Sequence, residues 1–293
     1  MIFGTICLIF LTASGFPGQL GAASVNSPDL PHRAKSPRSA PTPNALPPKI
    51  QAQVPVYPPG TMPYHEGEQF VFQASWIGIP AAQARFTIRT SRANDSHWLA
   101  EGWVQTNSFA DIFFKMRDYV REDVIKQSLA PNQMYIRQSE NKRQDEYIVD
   151  FNRPTSIVTI TKRNHKGSFS REFISNNGFG MISGGLMAVS QPLEAGKTYN
   201  FDVFSGTERY VFSFDVTERE HVHLPLGEFD AWRIVPDVLY WSDGNLKGQG
   251  RDTILWVSAD SRRLPLRIQS ATFIGYVRAD LIEVDDGQVM RAQ

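Results

Sequence analysis

Cysteine is nearly absent: the 293 residues hold one, Cys7. It sits in an apolar N-terminal run, so a chain cut behind that run has none. This excludes a catalytic thiol, an iron–sulfur cluster, a cysteine zinc site and a disulfide-linked partner. An excess of one charge is absent too, with 30 Lys plus Arg against 30 Asp plus Glu. A neutral chain lacks the electrostatic footprint of a nucleic-acid binder. Its net charge also gives no support to binding at an anionic membrane surface. The basic pairs Lys142-Arg143, Lys162-Arg163 and Arg262-Arg263 read as solvated turn and strand-end residues.

What is present begins with export. Ile2 to Ala13 is almost continuously apolar, and Gly21-Ala22-Ala23 places small residues before Ser24. Residues 1–23 therefore read as a signal peptide, although no Lys or Arg precedes the run. The run is short for a membrane span. The expected location is the periplasm, with membrane anchoring if the signal stays on. Residues around Cys7 match a lipoprotein cleavage site poorly, so no lipid anchor is expected there. Export without disulfides fits a bacterial envelope protein.

Residues 24–63 hold eleven of the 19 prolines, spaced by Ser, Ala, Asn and Gln. Such a segment buries too little apolar surface to offset its ordering entropy and is expected to be a disordered, Pro-rich linker. Residues 64–284 then change to one folded domain, with a tail at 285–293.

The domain reads as all-β. Alternation runs through Phe70 and Phe72, through Ala84, Phe86 and Ile88, and through Tyr210, Phe212, Phe214 and Val216. Asp260-Ser261 and Gly275 mark turns, and Pro265 suits a strand start. About a dozen strands are expected, in an antiparallel meander closing into a barrel or half-barrel. Asp118 to Lys126 fits helix or strand spacing, and strand is the reading taken. Two apolar stretches do not alternate. Ser108 to Met116 predicts one or two helical turns, started by a Ser108–Asp111 box. Asn176 to Ser190 lacks the spacing of a phosphate loop and predicts a loop and short helix packed over the barrel. No internal repeat is visible, which argues against a propeller.

Several motifs occur in a telling order: Gly67-Glu68, Trp76-Ile77-Gly78-Ile79-Pro80-Ala81, Arg117-Asp118-Tyr119, and Leu226-Gly227-Glu228-Phe229-Asp230-Ala231-Trp232-Arg233. The series ends in Leu255-Trp256-Val257-Ser258-Ala259-Asp260 and Arg262-Arg263-Leu264-Pro265-Leu266. From about Tyr64 to Val284 the chain resembles the domain-of-unknown-function 3108 family of exported bacterial proteins. Residues 176–190 depart from the pattern of that family. The resemblance implies export and a β fold, and no catalytic residue. The ending is also similar, more loosely, to the half-barrel of bacterial lipoprotein carriers, which implies a lipid-holding hollow by analogy of fold.

Side chains suited to chemistry are few. His221 and His223 share one strand face, as metal ligands can. No third ligand follows at a fitting spacing, so neither a metal nor a cofactor is expected. There is no Gly-x-Ser-x-Gly elbow. Asp145-Glu146 and Asp285-Asp286 are neighbours that face opposite ways on a strand. The surplus is aromatic, with 19 Phe and six Trp. Phe113, Phe114, Met181, Phe201, Phe212, Phe214 and Trp256 are candidates to line a hollow for an apolar ligand. The function expected is a non-catalytic binding or carrier module of the envelope for a lipid or other apolar small molecule. The alternatives are a structural or assembly factor acting through an envelope protein partner, and a hydrolase with an unrecognised site.

Overall fold

The computed structural model describes residues 44–45, 51, 54–242, 245–249, 252–272 and 275–287. The expected signal peptide and most of the expected linker lie outside the described residues, as does the end of the tail. In chain order the strands are β1 (Asn44–Ala45), β2 (Gln69–Trp76), β3 (Ile79–Thr90), β4 (His97–Thr106), β5 (Arg117–Ile125), β6 (Pro131–Glu140), β7 (Arg143–Asn152), β8 (Ile157–Asn164), and β9 (Gly167–Ile174). After β10 (Gly178–Gly180) comes the helix α1 (Met181–Ser190). Then follow β11 (Thr198–Phe204), β12 (Arg209–Leu224), β13 (Gly227–Ser242), β14 (Asn245–Gln249), β15 (Thr253–Ser258), β16 (Pro265–Ala271) and β17 (Tyr276–Asp285). Seventeen strands among the described residues replace the expected dozen, and the additions include the two-residue β1 and the three-residue β10, which lie outside the alternating runs.

Strands β2 to β9 form one antiparallel meander and β11 to β17 another. The two halves join where β17 pairs with β2, Ala279 opposite Ala74. The result is one large curled sheet. At the seam the two residues of β1 pair with β9, Asn44 opposite Phe173, and among the described residues no ladder joins β9 directly to β10, so the sheet is not closed into a barrel. Side chains hold that seam instead. Arg209 forks onto Asp202 at 2.7 and 2.6 Å, and its remaining amino group donates to the Ile174 carbonyl at the end of β9. Ser175 donates to the same Asp202 carboxylate, and Arg153 donates to the Gly178 carbonyl at 2.9 Å. Behind these polar ties, Phe204 meets Phe151 and Phe173 edge to face.

Inward positions follow the pleat. On β5, Asp118, Val120, Glu122 and Val124 are buried while Tyr119, Arg121, Asp123 and Ile125 are not. On β7, Asp145, Tyr147, Val149 and Phe151 point in. Period two fixes this division, since neighbours on a strand face opposite sides.

Helix α1 was expected over the barrel. It lies within the curl instead, packed against β5, β10 and β11, with all ten residues buried. An apolar sequence on every side leaves a helix no face to give to water. Two glycines weaken it intrinsically, and one of them, Gly184, allows close approach to Val203 and Phe179. The Ser183 hydroxyl accepts from the Gly180 N–H at the start, and Pro192 follows the end.

Two further expectations are corrected. The linker does not run to residue 63. From Val54 the chain is packed on the domain: Val54 is buried beside Val211, and the Tyr57 ring lies 4.9 Å from Phe201. Gln191 donates to the Pro58 carbonyl and the Gly60 N–H donates to Ser190. Prolines reduce the entropy lost on docking, so Pro-rich composition alone did not decide this segment. The Ser108–Asp111 box does not form. Only a single turn, Ala110–Ile112, is helical. The Asn107 side chain accepts from the Ala110 N–H, while Asp111 turns to Arg117.

Removing one partner of a buried, hydrogen-bonded ion pair strands the other and costs about 3–5 kcal/mol. Arg209→Met should therefore lower the urea midpoint sharply. The double change Arg209→Met with Asp202→Leu should recover most of that loss, because no charge is then stranded. Equal melting of wild type and Arg209→Met would show that the seam is held elsewhere.

Candidate functional site

The inside of the sheet is occupied. Phe201, Phe212 and Phe214 are brought together in one cluster: Phe201 stacks on Phe214 and Phe212 is tilted against it, with ring centroids 6.0 Å apart in each pair. Tyr199, Tyr57 and Phe179 extend it. Met181 is the first residue of α1 and is fully buried. Trp256, on β15, is buried with its ring N–H donating to Glu220 at 2.6 Å. Phe114 packs half-buried against the edge of the core. Phe113 is set apart from all of these, 67% exposed at one end of the sheet.

That end carries an apolar rim. Ile77 and Ile79 flank the tip of the β2–β3 hairpin, and Phe109, Ile112 and Phe113 occupy the β4–β5 loop. These five, with Trp76, make six of the ten exposed large apolar side chains among the described residues, so the exposure is concentrated rather than scattered. The two loops are tied together: Asn107 donates from its backbone to Ala81 and from its side chain to Pro80. Phe109 and Phe113 contact edge to face at 5.7 Å. Ile77 takes a left-handed backbone conformation, φ 50°, and its N–H donates to the Tyr276 carbonyl. Gly275, with φ 71°, has no side chain because Ile77 sits where a Cβ would go.

The rim has a charge as well. The next loop presents Lys142, and Lys115 is bonded to it through paired contacts with Asn141. Both lysines are exposed, and among the described residues neither is in an ion pair. The one acid in the β4–β5 loop, Asp111, is neutralised. Its hydrogen bonds from Arg117 and Thr106 hold it below the usual carboxylate range. The chain is neutral overall, yet these two lysines stand exposed at this end.

Behind the rim the wall holds buried acids. Asp118 accepts from the Ser139 N–H at 2.9 Å through one oxygen, and its other oxygen is buried without a partner among the described residues. Glu140 likewise has one buried oxygen without a partner. Burial pushes Asp118 up to about 6. Burial, and then the Asp118 charge, push Glu140 up to about 7. Asp145 goes the other way, to about 2: burial opposes its charge, but Asn164, Lys162 and Arg143 outweigh it. Deeper still, Glu122 accepts from the backbone N–H groups of Ile182 and Ser183 at the start of α1, and burial raises it to about 7 despite those bonds.

His221 and His223 do share one exposed face, on β12. The absence of a third ligand is corrected. The hairpin sets Glu228 opposite His223 and Asp230 opposite His221. Sequence spacing hid this, because the acids arrive across a turn rather than along the strand. An open groove of about 450 Å³, on the outer face at the other end, is lined by Arg89, Arg92 and Arg121 beside Asp123.

The comparisons with known proteins come to the following. The model of the protein of unknown function family DUF3108 matches residues 71–282. The chain belongs to the DUF3108 family. No curated protein matches it in sequence. Among solved structures it is similar to the β-barrel-like DUF1849 protein of Brucella abortus, at 8% identity and a TM-score of 0.51. That match covers 74% of this chain and 96% of the other. A Bacteroides fragilis protein with a YmcC-like fold, described as exported, matches at 10% identity and TM-score 0.31, over 78% and 99%. A Parabacteroides distasonis protein described as a lipoprotein matches at 8% and 0.35, over 77% and 99%. At such identities the Brucella likeness speaks to fold alone, and it agrees with the curled sheet.

A carboxyl whose pKa is higher folded than unfolded favours folding below its ordinary value, and that gain is lost as pH rises through the folded value. Asp118 and Glu140 are therefore most favourable at acid pH and costly above about 7. The variant Asp118→Asn with Glu140→Gln should melt above wild type at about pH 8, with the difference shrinking toward about pH 5. A difference that is constant with pH would contradict the assignment.

Proposed function

We propose that the chain is a non-catalytic exported envelope protein that engages lipid at its outer rim rather than inside a hollow. The observation that carries this reading is the rim itself. Ile77, Ile79, Phe109, Ile112 and Phe113 are exposed on the bonded β2–β3 and β4–β5 connections, with Lys115 and Lys142, which are in no ion pair among the described residues. Contiguous exposed apolar surface marks an interaction site. Aromatic and aliphatic tips flanked by cations suit an anionic bilayer surface, where the apolar groups enter the headgroup boundary and each lysine adds about 1 kcal/mol. The occupied interior weighs against the carrier form of the idea, since Phe201, Phe212, Phe214 and Met181 already fill one another's space with α1. Export is supported by the apolar N-terminal run and small-residue site of residues 1–23.

Cosedimentation of the exported chain with phosphatidylglycerol and phosphatidylcholine vesicles tests this. Wild type should bind the anionic vesicles more tightly, and salt should weaken that preference. Burying a large apolar side chain is worth about 1.5–3 kcal/mol, so Ile112→Ser with Phe113→Ser should lose at least tenfold. Lys115→Glu with Lys142→Glu should remove most of the lipid-charge preference. Binding unchanged in both variants would overturn the reading.

A further inference from the structure

At the opposite end of the sheet from the rim, the β12–β13 hairpin gathers four side chains that no part of the proposal above uses. His221 and His223 come from one strand, and Glu228 and Asp230 from the other, all on the same outward face. The Glu228 carboxylate lies between the two imidazoles, with Oε2 3.2 Å from Nε2 of His221 and Oε1 3.1 Å from Nδ1 of His223. Ligand atoms of these three residues all fall within 4.8 Å of one another. Zinc held tetrahedrally at its usual bond lengths of about 2.0–2.2 Å separates its ligand atoms by about 3.4 Å. Small side-chain rotations bring this trio to that spacing.

A second observation concerns the residue behind the trio. The other ring nitrogen of His221, Nδ1, lies 3.1 Å from Asp230 Oδ1. A histidine that ligates a metal almost always donates its remaining ring N–H to a carboxylate or carbonyl, which fixes the tautomer and turns the free nitrogen to the ion. Asp230 occupies that supporting position, directly opposite His221 in the hairpin register.

We infer that this hairpin is a binding site for a divalent transition-metal ion of the zinc type. Nε2 of His221, Nδ1 of His223 and the Glu228 carboxylate are the ligands, and Asp230 is the positioning residue. Two imidazoles and one carboxylate suit zinc better than calcium or magnesium, which take oxygen ligands. Since all four side chains are exposed, the fourth coordination position is open to water. The ion would tie the far ends of two sixteen-residue strands together.

The test is a calorimetric titration of the chelator-stripped full chain with zinc chloride at neutral pH. One equivalent should bind with micromolar affinity, and calcium should not compete. His221→Ala with His223→Ala should abolish that binding while the melting temperature of the metal-free chain stays near wild type. Asp230→Asn should weaken it by about ten- to a hundredfold, with the histidine ring signals in the NMR spectrum still shifting on zinc addition. Absence of binding by wild type, or equal binding by the double histidine variant, would overturn the site. Full affinity in Asp230→Asn would remove the role given to Asp230.

Discussion

The structure depends on one buried contact. Glu122 projects inward from the middle of β5 and receives the N–H groups of Ile182 and Ser183, in the first turn of α1. A helix start leaves its leading N–H groups unsatisfied, and inside a core no water is available to meet them. A carboxylate is the strongest acceptor for that position and complements the positive end of the helix. Gly180 completes the arrangement. Any side chain there would place its Cβ within 2.4–2.6 Å of the Glu122 carboxyl. The apolar helix can thus lie inside the sheet with its polar start satisfied, and it takes up room that a lumen would need.

From that constraint the rest follows. A sheet of this many strands would enclose an open lumen if nothing entered it. Here α1, the Phe201–Phe212–Phe214 cluster, and Tyr57 and Met62 of the docked segment occupy space inside, while Val54 lies outside against Val211. Among the described residues β9 pairs with β1 and β10 with β11, and no ladder joins β9 directly to β10. The seam is closed by the Arg209–Asp202 pair and by Phe204 between Phe151 and Phe173. With the interior committed to packing, the surfaces left for recognition are outside: the apolar, cationic rim at one end and the histidine–carboxylate hairpin at the other.

Much of the wall was legible in the sequence. Alternation placed the strands around Phe70, Phe86 and Phe212, Pro265 begins β16 as a donor-less residue should, and Gly275 has the positive φ its turn requires. The strand reading of Asp118 to Lys126 agrees with β5. Other features were not legible, for physical reasons. Nothing in the apolar stretch Asn176 to Ser190 says whether a helix covers a barrel or enters it; that is decided by Glu122, sixty residues away in sequence. Residues 54–63 look like spacer by composition, yet Tyr57 finds a place against Phe201. Net charge hid the basic rim, because Asp111 is spent on Arg117 while Lys115 and Lys142 are not. The His221 and His223 signal was visible, but its acidic partners needed the register of a hairpin.

Hydrogen–deuterium exchange of the backbone amides of α1 tests the central claim most directly. If Glu122 holds this helix inside the sheet, the amides of Gly185 to Ser190 should exchange only through global unfolding, among the slowest in the chain. They should quicken by orders of magnitude in Glu122→Ala. Exchange in α1 as rapid as that of the exposed β4–β5 loop would mean that the helix is a loose cover and the inside a usable hollow, contrary to this account.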